Sequence, residues 1–342
     1  MRDRFLWKSK AGTISAVVCY CIALIAIGCG GGGVGGGSTT GSTTGGTTGS
    51  TTGGTTGATT GGTTGSTTGG TTGGSVPDYF YFSSDKDGLP ELFKMNDDGS
   101  GLALVSTNSE QAEQPSASLD GTKITFTSVS LFARVFGILS NGTGFISLAD
   151  TSDDNSDPSI SPDGATVLFT SNRFGTPQLF SVPFAGGSAT QLTFFASGAV
   201  QGQWSPDGTK ITYVSGDTND DVYIMNSDGT GQTQLTSSTS DEWNPAFSPD
   251  GSKIVFVRDY GSLGEVIGQI MVVNAVGGGL NRLTTSMLSD DEPCYSGNGQ
   301  YIFFSRPFGF GKEIFRMTNS GGSSTNLTSF GAFSGQPRTP GL

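Results

Sequence analysis

The stretch NPAFSPDGSKIVFV, residues 244–257, decides the fold, because close variants of it recur along the chain. DPSISPDGATVLFT begins at Asp157, QGQWSPDGTKITYV at Gln201, QPSASLDGTKITFT at Gln114 and EPCYSGNGQYIFFS at Glu292. One copy could be an isolated turn or a phosphate loop. Five copies are an architecture, and a repeat is read before any catalytic motif. The glycines that close the turns are Gly121, Gly164, Gly208, Gly251 and Gly299, at spacings of 43, 44, 43 and 48 residues.

Each unit contains the same four pieces. An opening strand runs into Ser-Pro-Asp-Gly, whose residues match the positions of a type I turn. A second strand follows with β-enriched alternation, as in Ile211/Tyr213 and Ile254/Phe256. A third strand (LFKM from Leu92, VYIM from Val222, IFRM from Ile314) follows a variable loop, and a Gly-rich turn leads to a fourth strand ending in Leu-Thr. No segment shows sustained helical periodicity. Four antiparallel strands in a unit of roughly 44 residues are the signature of a propeller blade. The ends of the chain complete the count. Phe82 lies 44 residues before Phe126, so the domain begins at a second strand, and Pro337 lies 44 residues after Pro293, so the missing opening strand comes from the C-terminus. The reading is an all-β, six-bladed propeller of four-stranded antiparallel blades over residues 76–342, closed by its last strand so that no blade edge is left free.

The pattern SPDGxKIxFxS followed by IYxMxxDGxxxxxLT resembles the WD-like repeats of TolB-type β-propellers, found also in the propeller domains of the prolyl-oligopeptidase family. The resemblance is strong in the third to fifth blades and weaker in the second (SLDG) and sixth (SGNG). It implies a fold, and through TolB an envelope setting. TolB-type proteins also carry an α/β domain before the propeller, where this chain has a Gly/Thr-rich stretch. A fold of this kind hosts many functions, so function must be argued from a site.

Residues 1–28 read as a secretory signal: a basic start, the apolar run TISAVVCYCIALIAI, and Gly28 before Cys29. The run is short of the roughly 20 apolar residues of a spanning helix. Ala26 to Cys29 resembles the lipobox of bacterial lipoproteins, which implies a diacylglycerol on Cys29; the alternative is an uncleaved membrane anchor. Residues 29–75 form a Gly/Ser/Thr-rich linker with nothing to bury, expected to be a disordered tether of roughly 35–40 Å r.m.s. span. Cys19 and Cys21 would leave with the signal and Cys29 would be acylated, so Cys294 alone remains and no internal disulfide forms.

The formal charge is −12, and losing the signal's four Lys/Arg and one Asp takes it to −15. Nucleic acid is thereby a poor partner. The chain has no His, which removes the usual general base, the His-dependent triads and the commonest zinc ligand. There is no GxSxG elbow. Asp85 to Gly88 (DKDG) holds only a fragment of a calcium loop. Neither a metal nor a cofactor is implied, and buried packing suits Cys294 better than reactivity.

Propeller topology sorts the loops onto two faces. The SPDG turns and the third-to-fourth-strand turns share one, and the irregular loops between blades and between second and third strands share the other, where binding is expected. The inter-blade loops 106–114, 149–157, 194–201, 237–244, 285–292 and 329–336 hold eleven acids and no Lys or Arg. Asp157, Asp241, Glu242, Asp291 and Glu292 lie just before inner strands. With Trp243 they are the candidate partner-binding residues of an acidic channel mouth. Phe194, Phe195, Phe330 and Phe333 add apolar surface, and Arg134, Arg173, Arg258, Arg306, Lys312, Phe132, Phe174, Phe308 and Phe310 form a mixed rim. Such a mouth suits a basic peptide, a protein tail or a cation. The expected function is that of a monomeric, non-catalytic, protein-binding lipoprotein of the cell envelope. It would be anchored through Cys29 on the periplasmic side of the outer membrane or at the cell surface. The alternative is a propeller-fold enzyme, a lyase or hydrolase, acting on envelope or extracellular polysaccharide.

Overall fold

The structure is a computed structural model that describes residues 78–105, 111–129, 132–149, 153–262 and 264–341. The signal, Cys29 and the Gly/Thr-rich linker, with Glu110 and Asp150, lie outside the described residues. Six four-stranded antiparallel sheets form the six blades. From the channel outward, blade 1 comprises Ser334–Arg338, Tyr79–Ser84, Glu91–Asn96 and Ala103–Leu104. Blade 2 spans Glu113 to Ala149, blade 3 Asn155 to Gln191, blade 4 Val200 to Gln234, blade 5 Glu242 to Arg282 and blade 6 Asp291 to Asn326. The inner strands contact one another around the whole ring.

The alternation read in the second strands is only half of their character. In Lys253–Asp259, Ile254 and Phe256 are buried, and so are Val255 and Val257 between them. A blade is sandwiched between two neighbours, so both faces of its middle strands need apolar side chains. Ile254 and Phe256 pack with Val222 of blade 4, whereas Val255 and Val257 pack with Tyr295, Ile302 and Phe304 of blade 6. There is one such apolar cluster for each of the six blade interfaces, including Phe80, Phe82 and Phe93 of blade 1 against Cys294, Phe303 and Ile314 of blade 6. Cys294 is fully buried there, and burial pushes its thiol up to about 12, which makes it a packing residue.

Two sequence signatures have side-chain reasons. In SPDG, Ser248 Oγ donates to Asp250 Oδ1 at 2.5 Å and accepts from Lys253 N at 2.9 Å, while Gly251 takes a φ of +68°. Ser205 and Asp207 repeat this at 2.6 Å, and Ser296 with Asn298 at 2.8 Å, so SGNG works like SPDG. In the terminal Leu-Thr, the Thr hydroxyl accepts from a third-strand N–H: Leu179 to Thr193, Val222 to Thr236, Ile270 to Thr284 and Ile314 to Thr328, each at 2.9 Å. The outer strand is thereby held although its paired part is two residues long in blades 1 and 3–6.

Closure is by the C-terminal strand. It pairs Tyr81 with Arg338, Ser83 with Gly335 and Ser84 with Ser334. Phe333 N also donates to Asp85 Oδ1 at 2.7 Å, which gives the first Asp of DKDG a structural task. Beyond the strand, Thr339 Oγ1 donates to Tyr295 O at 2.7 Å and Gly341 N to Ala117 O at 2.8 Å, tying blades 6 and 2 to the same tail.

One buried group works against this packing. Asp97, in the turn after the third strand of blade 1, is nine-tenths buried and neither carboxylate oxygen has a partner. Burial, reinforced by Asp78 and opposed by Arg316, pushes its carboxyl up to about 6. An acid with a raised folded-state pKa contributes stability that is full below its unfolded value and lost as pH rises through about 6. Asp97→Asn should therefore gain stability over wild type by about 2 kcal/mol more at pH 8 than at pH 4. Chemical denaturation at both pH values measures this, and a pH-independent difference would assign the effect to shape instead of charge.

Candidate functional site at the channel mouth

Six residues stand at the same place in the six inner strands: Gln114, Asp157, Gln201, Asn244, Glu292 and Gln336. All have a left-handed φ between 52° and 57°. Each precedes a Pro, or in blade 4 Gly202, and each sits where the pairing of inner and second strands shifts register. Non-glycine residues in this region cost on the order of 1 kcal/mol each, so six of them need a compensating arrangement. The bulge turns each N–H out of its own ladder and offers it to the preceding blade. Gln114 N donates to Gln336 Oε1 at 2.5 Å, Asp157 N to Gln114 Oε1 at 3.0 Å, Asn244 N to Gln201 Oε1 at 2.8 Å and Gln336 N to Glu292 Oε2 at 2.9 Å.

The relay fails at two steps, both after a side chain one methylene shorter. After Asp157, the N–H of Gln201 goes to Thr170 Oγ1 at 3.2 Å. After Asn244, the N–H of Glu292 goes to Asp291 Oδ1 at 2.8 Å. Side-chain length thus decides where the polar ring is continuous. Gly335 has its own reason: a Cβ there would come within 2.7 Å of Glu292 Oε2, the oxygen that accepts from Gln336.

The acids read from the loops fall into two groups. The first is paired with bases that reach in from the second and third strands. Glu242 is fully buried and accepts both Nε (2.7 Å) and Nη2 (2.5 Å) of Arg258, with Thr236 donating to its other oxygen. Burial pushes the Glu242 carboxyl up, while Thr236 and Arg258 oppose the rise. Asp290 holds Arg306 through Nε at 2.5 Å and Nη2 at 3.0 Å. Lys312 lies between Asp291 (3.4 Å) and Glu292 (3.3 Å). Burial would lower the Lys312 ammonium, but the two carboxylates outweigh it and hold its pKa up. Asp291 also accepts Trp243 Nε1 at 2.8 Å and Asn244 Nδ2 at 2.9 Å. Burial alone would raise its carboxyl, yet Lys312 and these donors hold it below the usual range. Trp243 is itself buried in the blade 5–6 core and presents no face to a partner. Arg258, Arg306 and Lys312 therefore belong to the acid clusters, and the mouth is less negative than its loops alone imply.

The second group keeps its charge problem open. Burial raises the Asp157 carboxyl, against the pull of Ser156, Thr170, Arg338 and Gln114. Glu113, beside Gln114, is pushed up to about 7, first by burial and then by the Glu292 carboxylate. Asp241 is a structural cap, accepting Asp220 N at 3.0 Å. The amides Gln114, Gln201, Asn244 and Gln336 complete the ring, and counting charges alone does not reveal them. Their signal is a polar residue immediately before the inner-strand Pro or Gly in every repeat.

Around this polar centre the same face carries exposed apolar side chains. Phe174 and Phe310 project from second-to-third-strand turns, Phe308 from the end of the second strand of blade 6, and Phe194 (77% exposed) and Met287 (92%) from inter-blade loops. Phe195 and Phe330 pack instead against the rims of core clusters, and Phe333 lies under Lys312 at 5.5 Å. Met287 and Leu288 belong to the exposed set although aromatic content alone does not mark them.

A ring of six four-stranded antiparallel blades, closed by a strand from the opposite terminus around a polar axis, defines a β-propeller. A family model described as TolB beta-propeller domain matches residues 133–267. TolB from Acinetobacter baumannii superposes with a TM-score of 0.65 at 22% identity, covering 77% of this chain and 66% of that one. A putative TolB from Agrobacterium tumefaciens gives 0.59 at 24% identity, over 75% and 90% of the two chains. A chain of the nidogen/laminin complex gives 0.60 at 9% identity, over 76% and 97%. This chain thus spans 66% of the length of the A. baumannii protein. No curated protein sequence matches it. Within that class, the fold is that of a six-bladed propeller similar to those of the TolB structures.

Proposed function

We propose that the protein is a non-catalytic binding module of the cell envelope, which holds a protein or basic peptide at its channel mouth. The observation that carries this reading is the rim of exposed Phe174, Phe194, Phe308, Phe310 and Met287 around a polar ring. Large apolar side chains surrounding hydrogen-bonding groups are the composition of a protein-binding surface. Asp157, Asp291 and Glu292 supply the polar centre; Glu242, Trp243 and Asp241 support it from within. Glu292→Gln with Asp157→Asn tests the reading without breaking the ring, because Gln and Asn occupy the same places in other blades. The expected result is a folded protein, destabilised only as far as Lys312 loses one of its two carboxylates, and a several-fold slower association with a basic partner, reproduced in wild type by high salt. Equal association rates at low salt would move the site elsewhere.

A polysaccharide-cleaving enzyme is the second reading, and the observation favouring it is Glu113 beside Glu292. These are neighbouring carboxyls whose surroundings differ, as an acid/base pair requires. Saccharide turnover that disappears in Glu113→Gln would establish it.

Envelope anchoring rests on the lipobox-like residues Ala26 to Cys29. Cys29→Ser should release the protein from membranes or stall its processing. Normal processing with detergent-dependent membrane association in that variant would refute the anchor.

A further inference from the structure

On the face opposite the mouth, the turn after the third strand of blade 5 departs from those of blades 1 and 4. In blade 4 the turn after the third strand reads Asn226-Ser-Asp-Gly-Thr230, and its polar groups satisfy one another. Lys210 Nζ donates to Asn226 Oδ1 at 2.6 Å, Asn226 Nδ2 donates to Thr230 Oγ1 at 2.9 Å, and the Asp228 carboxyl is drawn down first by its bonds from Thr230 and least by Lys210. Blade 1 makes the equivalent bond from Asn96 to Ser100 at 3.1 Å. Blade 5 keeps the lysine and the asparagine, Lys253 and Asn274, but Val276 replaces the aspartate and Gly278 the threonine. The backbone of Gly278 adopts a φ of +76°, a conformation Thr230 does not take.

Beside this turn lies a hollow of about 330 Å³ between blades 5 and 6, lined by Lys253, Asn274, Gly279, Asn281, Asn319 and Ser320 over a floor of Val272 and Leu283. A second hollow of about 220 Å³ adjoins it and shares Lys253 and Asn319. Among the described residues, neither the Lys253 ammonium nor the side-chain amides of Asn274 and Asn281 have a hydrogen-bond or ion-pair partner, and Asp250, the one carboxylate lining either hollow, is occupied by Ser248 and Ser252. In a chain of formal charge −12, the hollow presents an exposed ammonium and two amides, free to bond a ligand, over an apolar floor.

We propose that this hollow binds a small hydroxylated carboxylate of the uronic-acid class. The single ammonium pairs with one carboxylate. A doubly charged phosphate would instead call for the planar fork of an arginine, and no arginine is among the described residues lining the hollow. An amide presents a donor and an acceptor side by side, which suits hydroxyls that do both. Val272 and Leu283 offer an apolar floor to the C–H face of a sugar ring. The volume lies at the lower end of the range of ligand pockets, which fits one ring.

The test is an NMR titration of the whole propeller with glucuronate, glucose, acetate and N-acetylalanine. Glucuronate should bind in the millimolar range, with each of the other three at least about tenfold weaker. Lys253→Met should abolish binding, while Lys210→Met, whose lysine is already bonded within blade 4, should leave it unchanged. Val276→Asp with Gly278→Thr rebuilds the blade 4 turn and should also abolish binding while the protein stays folded. Absence of glucuronate binding at tens of millimolar would overturn the proposal. So would retained affinity in Lys253→Met or in the rebuilt turn. Acetate binding as tightly as glucuronate would reduce the site to a lone charge, and N-acetylalanine doing so would make it a peptide-terminus site; either result contradicts the uronate assignment.

Discussion

Ending the chain after Ser334 should cost at least about 5 kcal/mol of stability and lower the melting temperature by roughly 10–20 °C. The segment removed is short, but it is the inner strand of blade 1. Its loss strips the ladder partners of Tyr81 and Ser83. It also takes away the Gln336 side chain that accepts from Gln114 N, the Gln336 N–H that reaches Glu292, and the two bonds by which Thr339 and Gly341 hold blades 6 and 2. Each buried polar group left without a partner costs about 1–3 kcal/mol, and several are left together. The opened ring would further expose the cluster of Phe80, Phe82 and Phe303 at the blade 1–6 interface. Thermal and denaturant melts of the two lengths decide this. Superimposable curves would mean that the propeller closes in some other way.

The second large effect is expected at Glu242 and Arg258. The carboxylate is fully buried and the guanidinium nearly so, so removing one charge strands the other. Glu242→Ala or Arg258→Met alone should destabilise by about 3–5 kcal/mol, whereas Glu242→Met with Arg258→Met should recover much of the loss. A double-mutant cycle gives the coupling directly. Single changes costing less than about 1 kcal/mol would show that the pair is solvated in solution. Because Glu242 is inside this pair, it cannot also meet a partner.

The blades were legible from sequence because their determinants are local. Ser248, Asp250 and Gly251 form their turn among themselves, and the Leu-Thr of the outer strand bonds to its own hairpin. Even the long-range closure was legible, because Pro337 falls one repeat length after Pro293. The site was legible in part. Glu242, Asp291 and Glu292 begin the inner strands and Asp290 stands next to one, but their counter-charges come from second and third strands: Arg258 stands 16 residues after Glu242, and Arg306 16 after Asp290. A count confined to loops omits both. The ring of Gln114, Gln201, Asn244 and Gln336 stayed hidden for another reason. Its polar residues bond to the next blade, so their role depends on a left-handed backbone that composition does not encode.

The central claim is that the face bearing the ring is the one that meets a protein. A photo-cross-linking amino acid placed in turn at Phe194, Phe310 and Val276, followed by irradiation of intact cells and mass spectrometry, tests it most directly. Phe194 and Phe310 flank the mouth, and Val276 (94% exposed) projects from the opposite face. The account predicts a discrete protein adduct from the two mouth positions and none from Val276; an adduct from Val276 alone would contradict it.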